Sequence, residues 1–224
     1  MVKKKLSNPG GTDLFIRDCR EKALQRAMLK QSLDGTKTYL DDGTFIEWLD
    51  LELPVELSKN SRRKCIDLVG RDNNGRFVLC ELKHSCNRND SPHDAETEGL
   101  TYLGQICFHC EELDDNNIHH PYVYIRETTN KYDLPNFLWY DFIKSHPRFL
   151  IMADKDYWDY WKARKARQKT KITDKKVIGI HDSSIECFSL DIEPDYFKEQ
   201  LKHSGDSNYV PELYEQNHWS KEII

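Results

Sequence analysis

Residues 64–83 constrain the fold more than any other stretch of this chain. Lys64-Cys65-Ile66-Asp67-Leu68-Val69 and Phe77-Val78-Leu79-Cys80-Glu81-Leu82-Lys83 are two runs rich in β-branched and apolar residues, with Asn73-Asn74-Gly75 between them. The pattern predicts a β-hairpin, with Gly75 in the left-handed conformation that a three-residue loop requires. That loop sets the register: Asp72 faces Arg76, Val69 faces Leu79, Leu68 faces Cys80 and Asp67 faces Glu81. Side chains alternate across a strand, so Asp67, Glu81 and Lys83 share one face with Val69 and Leu79, while Ile66, Leu68, Cys80 and Leu82 line the other. Two carboxylates opposed across strands repel by roughly 0.2–1 kcal/mol on an exposed sheet, and by more when covered.

A divalent cation reverses that sign, because carboxylate oxygens are the ligands Mg²⁺ prefers. Asp67, the turn and Glu81-Leu82-Lys83 resemble the PD-(D/E)XK nuclease superfamily, whose pattern is an Asp on one strand, a hairpin, then Glu-X-Lys. Ile66 stands where the strict pattern has Pro. The resemblance covers roughly residues 14–125, and its specific part is the hairpin. It implies an α/β fold: a mixed central sheet flanked by helices, with a restriction-endonuclease-like αβββαβ core and C-terminal additions. It also implies a metal-dependent nuclease hydrolysing phosphodiester bonds of nucleic acid, DNA ahead of RNA. Asp67 and Glu81 would bind Mg²⁺ or Mn²⁺ with help from the Leu82 carbonyl, and Lys83 would orient the attacking water and offset phosphate charge. The alternative is a catalytically inactive domain on the same scaffold that binds nucleic acid or a protein.

Further candidates come from the flanking elements. Thr12 or Asp13 caps a predicted helix running to about Ser32, with Leu14, Leu24, Ala27 and Met28 as its apolar stripe. Glu21 falls on or beside that stripe, either as a third site carboxylate, which the resemblance suggests, or as an edge residue paired with Arg17 or Gln25. Residues 36–49 predict a hairpin around Asp41-Asp42-Gly43, and Glu52–Ser58 a strand leading into the central one. If that strand turns at Lys59-Asn60, Glu52 lands opposite Asp67, as an alternative to Glu21; a one-residue slip removes it. A polar, mobile connection is expected from His84 to Pro92, then a helix over about Asp94–Leu113. Its buried stripe is Gly99, Leu103, Ile106, Cys110 and Leu113, with Tyr102, Gln105 and His109 along the margin. The resemblance places a glutamine of this helix against the metal site, and Gln105 matches it in type and approximate spacing; a solvent-edge amide is the alternative. Pro121-Tyr122-Val123-Tyr124-Ile125 and Arg148–Ala153 predict strands, and Val177–Ile180 with Ile185–Leu190 a closing pair.

Lys155–Lys171 combines Tyr157, Trp158, Tyr160 and Trp161 with a basic run containing Lys162, Arg164, Lys165 and Arg167. Such a run can hold phosphates while rings stack on bases. The competing reading is a surface helix whose tryptophans anchor it to the core, and for the aromatics this is the preferred one.

Composition narrows the class. With 38% hydrophobic and 32% charged residues over 224 positions, the chain reads as one domain with a polar surface. We assign residues 1–13 to a flexible lead, 14–200 to a single nuclease-like domain and 201–224 to a peripheral tail. A net charge of −5 argues against a general DNA-coating protein but leaves local basic surfaces open. Met1–Leu6 begins like a signal peptide, yet Ser7-Asn8-Pro9-Gly10-Gly11-Thr12 follows where an apolar stretch is needed. With no run of membrane-spanning length, a cytoplasmic protein without a membrane partner is expected, a homodimer remaining open. The seven cysteines are an odd number, and Cys65, Cys80, Cys107 and Cys187 sit in apolar patterns, as reduced thiols do. Cys107-Phe108-His109-Cys110 has metal-ligand spacing, but it falls in a helical pattern with no second CxxC.

Overall fold

Asp72, Asn73, Asn74 and Gly75 form the tight turn on which the strands are registered. Gly75 has φ +80°, its N–H reaches the Asp72 carbonyl at 3.0 Å, and the Asp72 N–H reaches the Arg76 carbonyl at 2.9 Å. Asp72 reinforces the turn with its carboxylate, which accepts from the N–H groups of Asn74 and Arg76. The strands leave the turn with Val69 opposite Leu79 and Leu68 opposite Cys80, as expected.

The coordinates are those of a computed structural model, which describes residues 20–55, 65–115, 139–168, 184–193, 195–201, 212–213 and 218–223. Within them the elements are α1 (Arg20–Leu33), β1 (Thr38–Leu40), β2 (Phe45–Pro54), β3 (Cys65–Asp72), β4 (Phe77–Lys83), α2 (Pro92–Asp115), α3 (Trp139–Lys144), β5 (Arg148–Asp154), α4 (Lys155–Gln168), β6 (Ile185–Leu190), α5 (Lys198–Leu201) and β7 (His218–Glu222). The expected cap at Thr12 or Asp13, Leu14, Arg17, the turn at Lys59-Asn60 and the strands at Pro121–Ile125 and Val177–Ile180 lie outside the described residues.

The sheet is closed, and this corrects the expected fold class. Instead of an open mixed sheet flanked by helices with a restriction-endonuclease-like core, the seven strands form a barrel in the order β1 to β7. β7 closes it by pairing antiparallel with β6 and parallel with β1, with Trp219 opposite both Leu190 and Leu40. The stretch read as a peripheral tail therefore supplies the closing strand. It is tied further by the Trp219 carbonyl, which accepts from Asp41 N–H, and by the Lys221 N–H, which donates to Asp41.

Barrel closure accounts for α1. Seven consecutive residues, Ala23 to Leu29, are buried, and at 100° per residue they cover every side of the helix, so no face is left to solvent. Ala23, Leu24, Ala27, Met28 and Leu29 pack with Leu68, Val78, Cys80 and Leu82 of the hairpin and Leu150, Met152, Phe188 and Trp219 of the other strands. On the opposite side of the strands, Val69, Leu79, Ile151 and Ala153 pack with Ala95, Tyr102 and Ile106 of α2 and with Tyr157, Trp158 and Trp161 of α4. Ile66 belongs to this second group rather than with Leu68.

Two other expectations change. β2 is one strand from Phe45 to Pro54, not a hairpin arm and a separate strand, with a register shift between Trp48 and Asp50. The His84–Ser91 connection is pinned rather than mobile. Its Ser85 N–H donates to Asp154 at 2.7 Å, its Asp90 carbonyl accepts from the Tyr157 hydroxyl at 3.0 Å, and its Ser91 caps α2 by exchanging hydrogen bonds with Asp94.

Close packing fixes how α2 lies against the barrel. A Cβ on Gly99 would fall 1.8 Å from the Phe149 ring of β5, and that ring is itself buried. Gly99→Ala should therefore displace α2 and lower stability by about 1–3 kcal/mol, despite the better helix propensity of alanine. Chemical denaturation of the variant against wild type checks this.

Candidate active site

The hairpin delivers its charged face to a covered spot beside α1 and α2. Glu81 and Lys83 are both buried on β4, and the Lys83 ammonium donates to Glu81 Oε1 at 3.0 Å. Asp67 comes from β3. Pairing continues outward from the turn as far as Leu68 and Cys80, and one step on, the Asp67 carboxylate rather than a main-chain carbonyl accepts the Leu82 N–H at 2.8 Å. The acid thus clips the two strands where their ladder ends. Gln25 of α1 supports it, donating to the Asp67 carbonyl at 2.7 Å and approaching its carboxylate at 3.4 Å.

α1 and α2 each add a carboxylate. Glu21 is buried enough that desolvation, followed by the Asp67 charge, raises it to about 8, with Lys83 opposing. Of the pairings considered for it from sequence, Arg17 lies outside the described residues and Gln25 bonds Asp67; Glu21 Oε2 is buried with no hydrogen-bond partner among the described residues, and so is Glu81 Oε2. From α2, Glu98 lies 3.6 Å from the Lys83 ammonium and accepts the Tyr102 hydroxyl. Desolvation and then this bond to Glu98 push Tyr102 upward.

Desolvation, then the Asp67 charge, also pushes Glu81 well above the ordinary carboxylate range. Burial alone would draw the Lys83 ammonium down, but Glu81, Asp67, Glu21 and Glu98 together outweigh it and hold its pKa above the usual lysine value. Lys83 is therefore a fixed cation, not a proton acceptor.

Of the other expected residues, Gln105 lies on α2 one turn beyond Tyr102, with its side-chain oxygen buried and without a hydrogen-bond partner. Its position follows the line of Glu98 and Tyr102 along the helix (i, i+4, i+7), a spacing that could have identified both in advance. Glu52 occupies the register position opposite Asp67, since Leu51 pairs with Leu68 and Leu53 with Ile66; its side chain, like that of His109, lies outside the described ones. Gln25 carried no sequence signal, because its role depends on α1 being enclosed.

The basic run falls on α4, and its members separate. Lys162 pairs with Glu222 of β7, so it helps hold the closing strand rather than standing ready for phosphate. Arg164 lies over the Trp161 ring at 5.1 Å, Arg167 Nε donates to the Ala163 carbonyl at 3.2 Å, and Lys165 is half-buried. Tyr157, Trp158 and Trp161 are buried anchors, and Trp158 donates to the Phe188 carbonyl at 2.9 Å. Cys107 is exposed and Cys110 half-buried on α2, which corrects the apolar placement of Cys107.

Among the described residues no three His, Cys, Asp or Glu side chains converge as ligands for a metal ion, and no helix is long and apolar enough to cross a membrane. Compared with family models, curated proteins and solved structures, the chain matches none.

The site generates two expectations. Asp67→Ala should leave the Leu82 N–H without an acceptor and cost about 1–3 kcal/mol, whereas Asp67→Asn keeps an oxygen at that position and should retain most of the stability. Denaturant midpoints of the two variants compare them. The raised Glu21 carboxyl also makes stability depend on pH. Between its ordinary value of 4.5 and about 8, the unfolded chain has released that proton while the folded chain retains it. The Glu21 contribution to stability therefore falls as pH rises through this window and levels off above it. Glu21→Gln should flatten the decline, as read from melting temperature against pH.

Proposed function

We propose that the protein is a metal-dependent nuclease, with Asp67, Glu81 and Lys83 of the β3–β4 hairpin as its centre and nucleic acid, DNA ahead of RNA, as substrate. The observation carrying this reading is a covered site where the Lys83 ammonium bonds Glu81 at 3.0 Å and lies 3.6 Å from Glu98, with the Asp67 and Glu21 charges also acting on it. Two of these acids, Glu21 and Glu81, keep a buried oxygen with no donor among the described residues. An excess of carboxylate over ammonium in a desolvated place is costly, and a divalent cation would relieve it.

The donor set suits Mg²⁺ or Mn²⁺, hard cations that take oxygen ligands from one or two carboxylates and otherwise from water and phosphate. Asp67 and Glu81 would hold the ion, with Glu21, on which the Asp67 charge acts, and Glu98, whose charge acts on Glu81, as further carboxylates. Bound there, the ion would polarise the scissile phosphate and lower the pKa of its water. Lys83, held charged, would orient the attacking water by hydrogen bonding and offset charge growing on the phosphate oxygens. Gln105 would serve as a positioning group through its buried side-chain oxygen, which has no partner among the described residues.

A second reading has one observation in its favour. Lys83 already bonds Glu81 and lies beside Glu98, so the ammonium could substitute for the ion in a catalytically inactive domain that binds nucleic acid or a protein.

Incubation with mixed single- and double-stranded DNA and RNA separates the two. The nuclease reading expects cleavage that requires Mn²⁺ or Mg²⁺ and falls by at least about 100-fold in Lys83→Ala and Glu81→Gln, each assayed at a temperature where circular dichroism shows the variant folded, since loss of the buried ammonium lowers Tm in Lys83→Ala. Cleavage that persists in both variants, or its absence from wild type with every substrate and ion, would overturn this reading.

A further inference from the structure

We propose that Arg88 and Arg164, both held against Tyr160, form a phosphate clamp beside the candidate active site that grips a nucleic-acid backbone without reading its bases. The inference rests on the nuclease reading and adds to it how the substrate is held. Arg88 lies five residues past Lys83 in the pinned connection. Its guanidinium sits over the Tyr160 ring at 4.8 Å, and its Nε donates to the Ser85 carbonyl at 3.2 Å. Arg164 reaches the same residue from α4, donating to the Tyr160 hydroxyl at 3.1 Å.

The same connection lies close to the site, because the Asp90 charge acts on Glu21 and the Asp90 carbonyl is held by Tyr157 at the start of α4. One tyrosine thus links the segment following Lys83 to the basic side of α4.

Three considerations favour a phosphate ligand over a merely solvated surface. Lys165 and Arg167 are explained by their place in the last turn of α4, where cations complement the helix dipole; Arg88 is on a loop and has no such explanation. Neither Arg88 nor Arg164 has a carboxylate partner among the described residues, although the chain carries more acid than base. Two guanidinium groups held on one tyrosine, Arg88 over its ring and Arg164 at its hydroxyl, repel each other, and an anion between them would remove that repulsion. Arginine presents five N–H donors in a planar fork, and the bonds to Ser85 and Tyr160 occupy one on each side chain.

The rings themselves are committed. Tyr160 carries Arg88 on its face and meets Trp161 edge-on with centroids 5.2 Å apart, while Trp161 is buried under Arg164. Bases cannot stack there, so affinity should come from phosphate contacts and depend strongly on salt rather than on sequence.

The test is fluorescence-anisotropy binding of fluorescein-labelled oligonucleotides to the whole protein in EDTA, where no cleavage occurs, over a range of salt. Single- and double-stranded probes of two unrelated sequences are used. Arg88→Gln and Arg164→Gln should each weaken binding several-fold and lower the slope of log K against log salt by about one. Arg88→Lys should keep the salt slope, because the charge remains, but lose part of the affinity with the planar fork, and Lys162→Gln should bind like wild type because Glu222 already holds that lysine. Full affinity and an unchanged slope in the double arginine variant, with Tm preserved, would overturn the clamp, as would a strong preference for one sequence that both arginine variants keep. Cleavage surviving Lys83→Ala would defeat the functional reading while leaving these binding results to stand or fall separately.

Discussion

A single lysine ammonium surrounded by acids organises this molecule. Lys83 is held charged in a buried place because Glu81, Asp67, Glu21 and Glu98 outweigh the cost of its desolvation. Glu81 and Glu21 are themselves pushed up by desolvation and then by the Asp67 charge, which the ammonium opposes without cancelling. Neither partner would be stable there alone, since an isolated buried charge costs far more than a surface ion pair returns. The rest of the fold supplies the scaffold that keeps these groups together.

The scaffold works by enclosure. The turn at Gly75 registers β3 on β4, Asp67 clips their open end, and the parallel pairing of β4 with β5 buries every residue of both strands. α1 is wrapped on all sides and inserts Glu21 and Gln25 from the interior, while α2 is packed at Gly99 closely enough to bring Glu98 and Tyr102 to the same spot. β7 completes the barrel, and the Lys162–Glu222 pair fastens it to α4. Removing that pair should matter little by itself, because half-exposed ion pairs contribute at most about 1 kcal/mol. Trp219, fully buried on β7, is the stronger tie.

How much of this could be read in advance depended on the range of the forces involved. The hairpin was legible because its signal is local: an Asn-Asn-Gly turn allows few registers, and alternation then decides which side chains share a face. The α4 tryptophans were legible as anchors for a similar reason, their spacing within one helix. Closure of the barrel was not. β7 is a five-residue strand with one buried side chain, Trp219, and its pairing with β1 spans most of the chain, so its neighbours Lys221 and Glu222 read as a polar tail. Glu98 lies one turn before Tyr102 on the same line of α2 as Gln105, so its helical spacing carries the signal, while only the docking of α2 distinguishes it from a surface acid. Lys162 was misjudged because its partner is some sixty residues away. Ile66 lies beyond the end of the β3–β4 pairing, still paired with Leu53 of β2, and packs with Val55 in the second cluster, which hairpin alternation alone does not show.

The central claim is that this acid cluster is frustrated as it stands and is completed by a divalent cation. Carboxyl ¹³C NMR titration of Glu21 and Glu81, without and with Mg²⁺, measures this most directly. The account predicts that Glu21 titrates near 8 without the ion, that Glu81 titrates well above the usual carboxylate range, and that Mg²⁺ moves both downward. Ordinary carboxylate titration of both residues, unaffected by Mg²⁺, would contradict it.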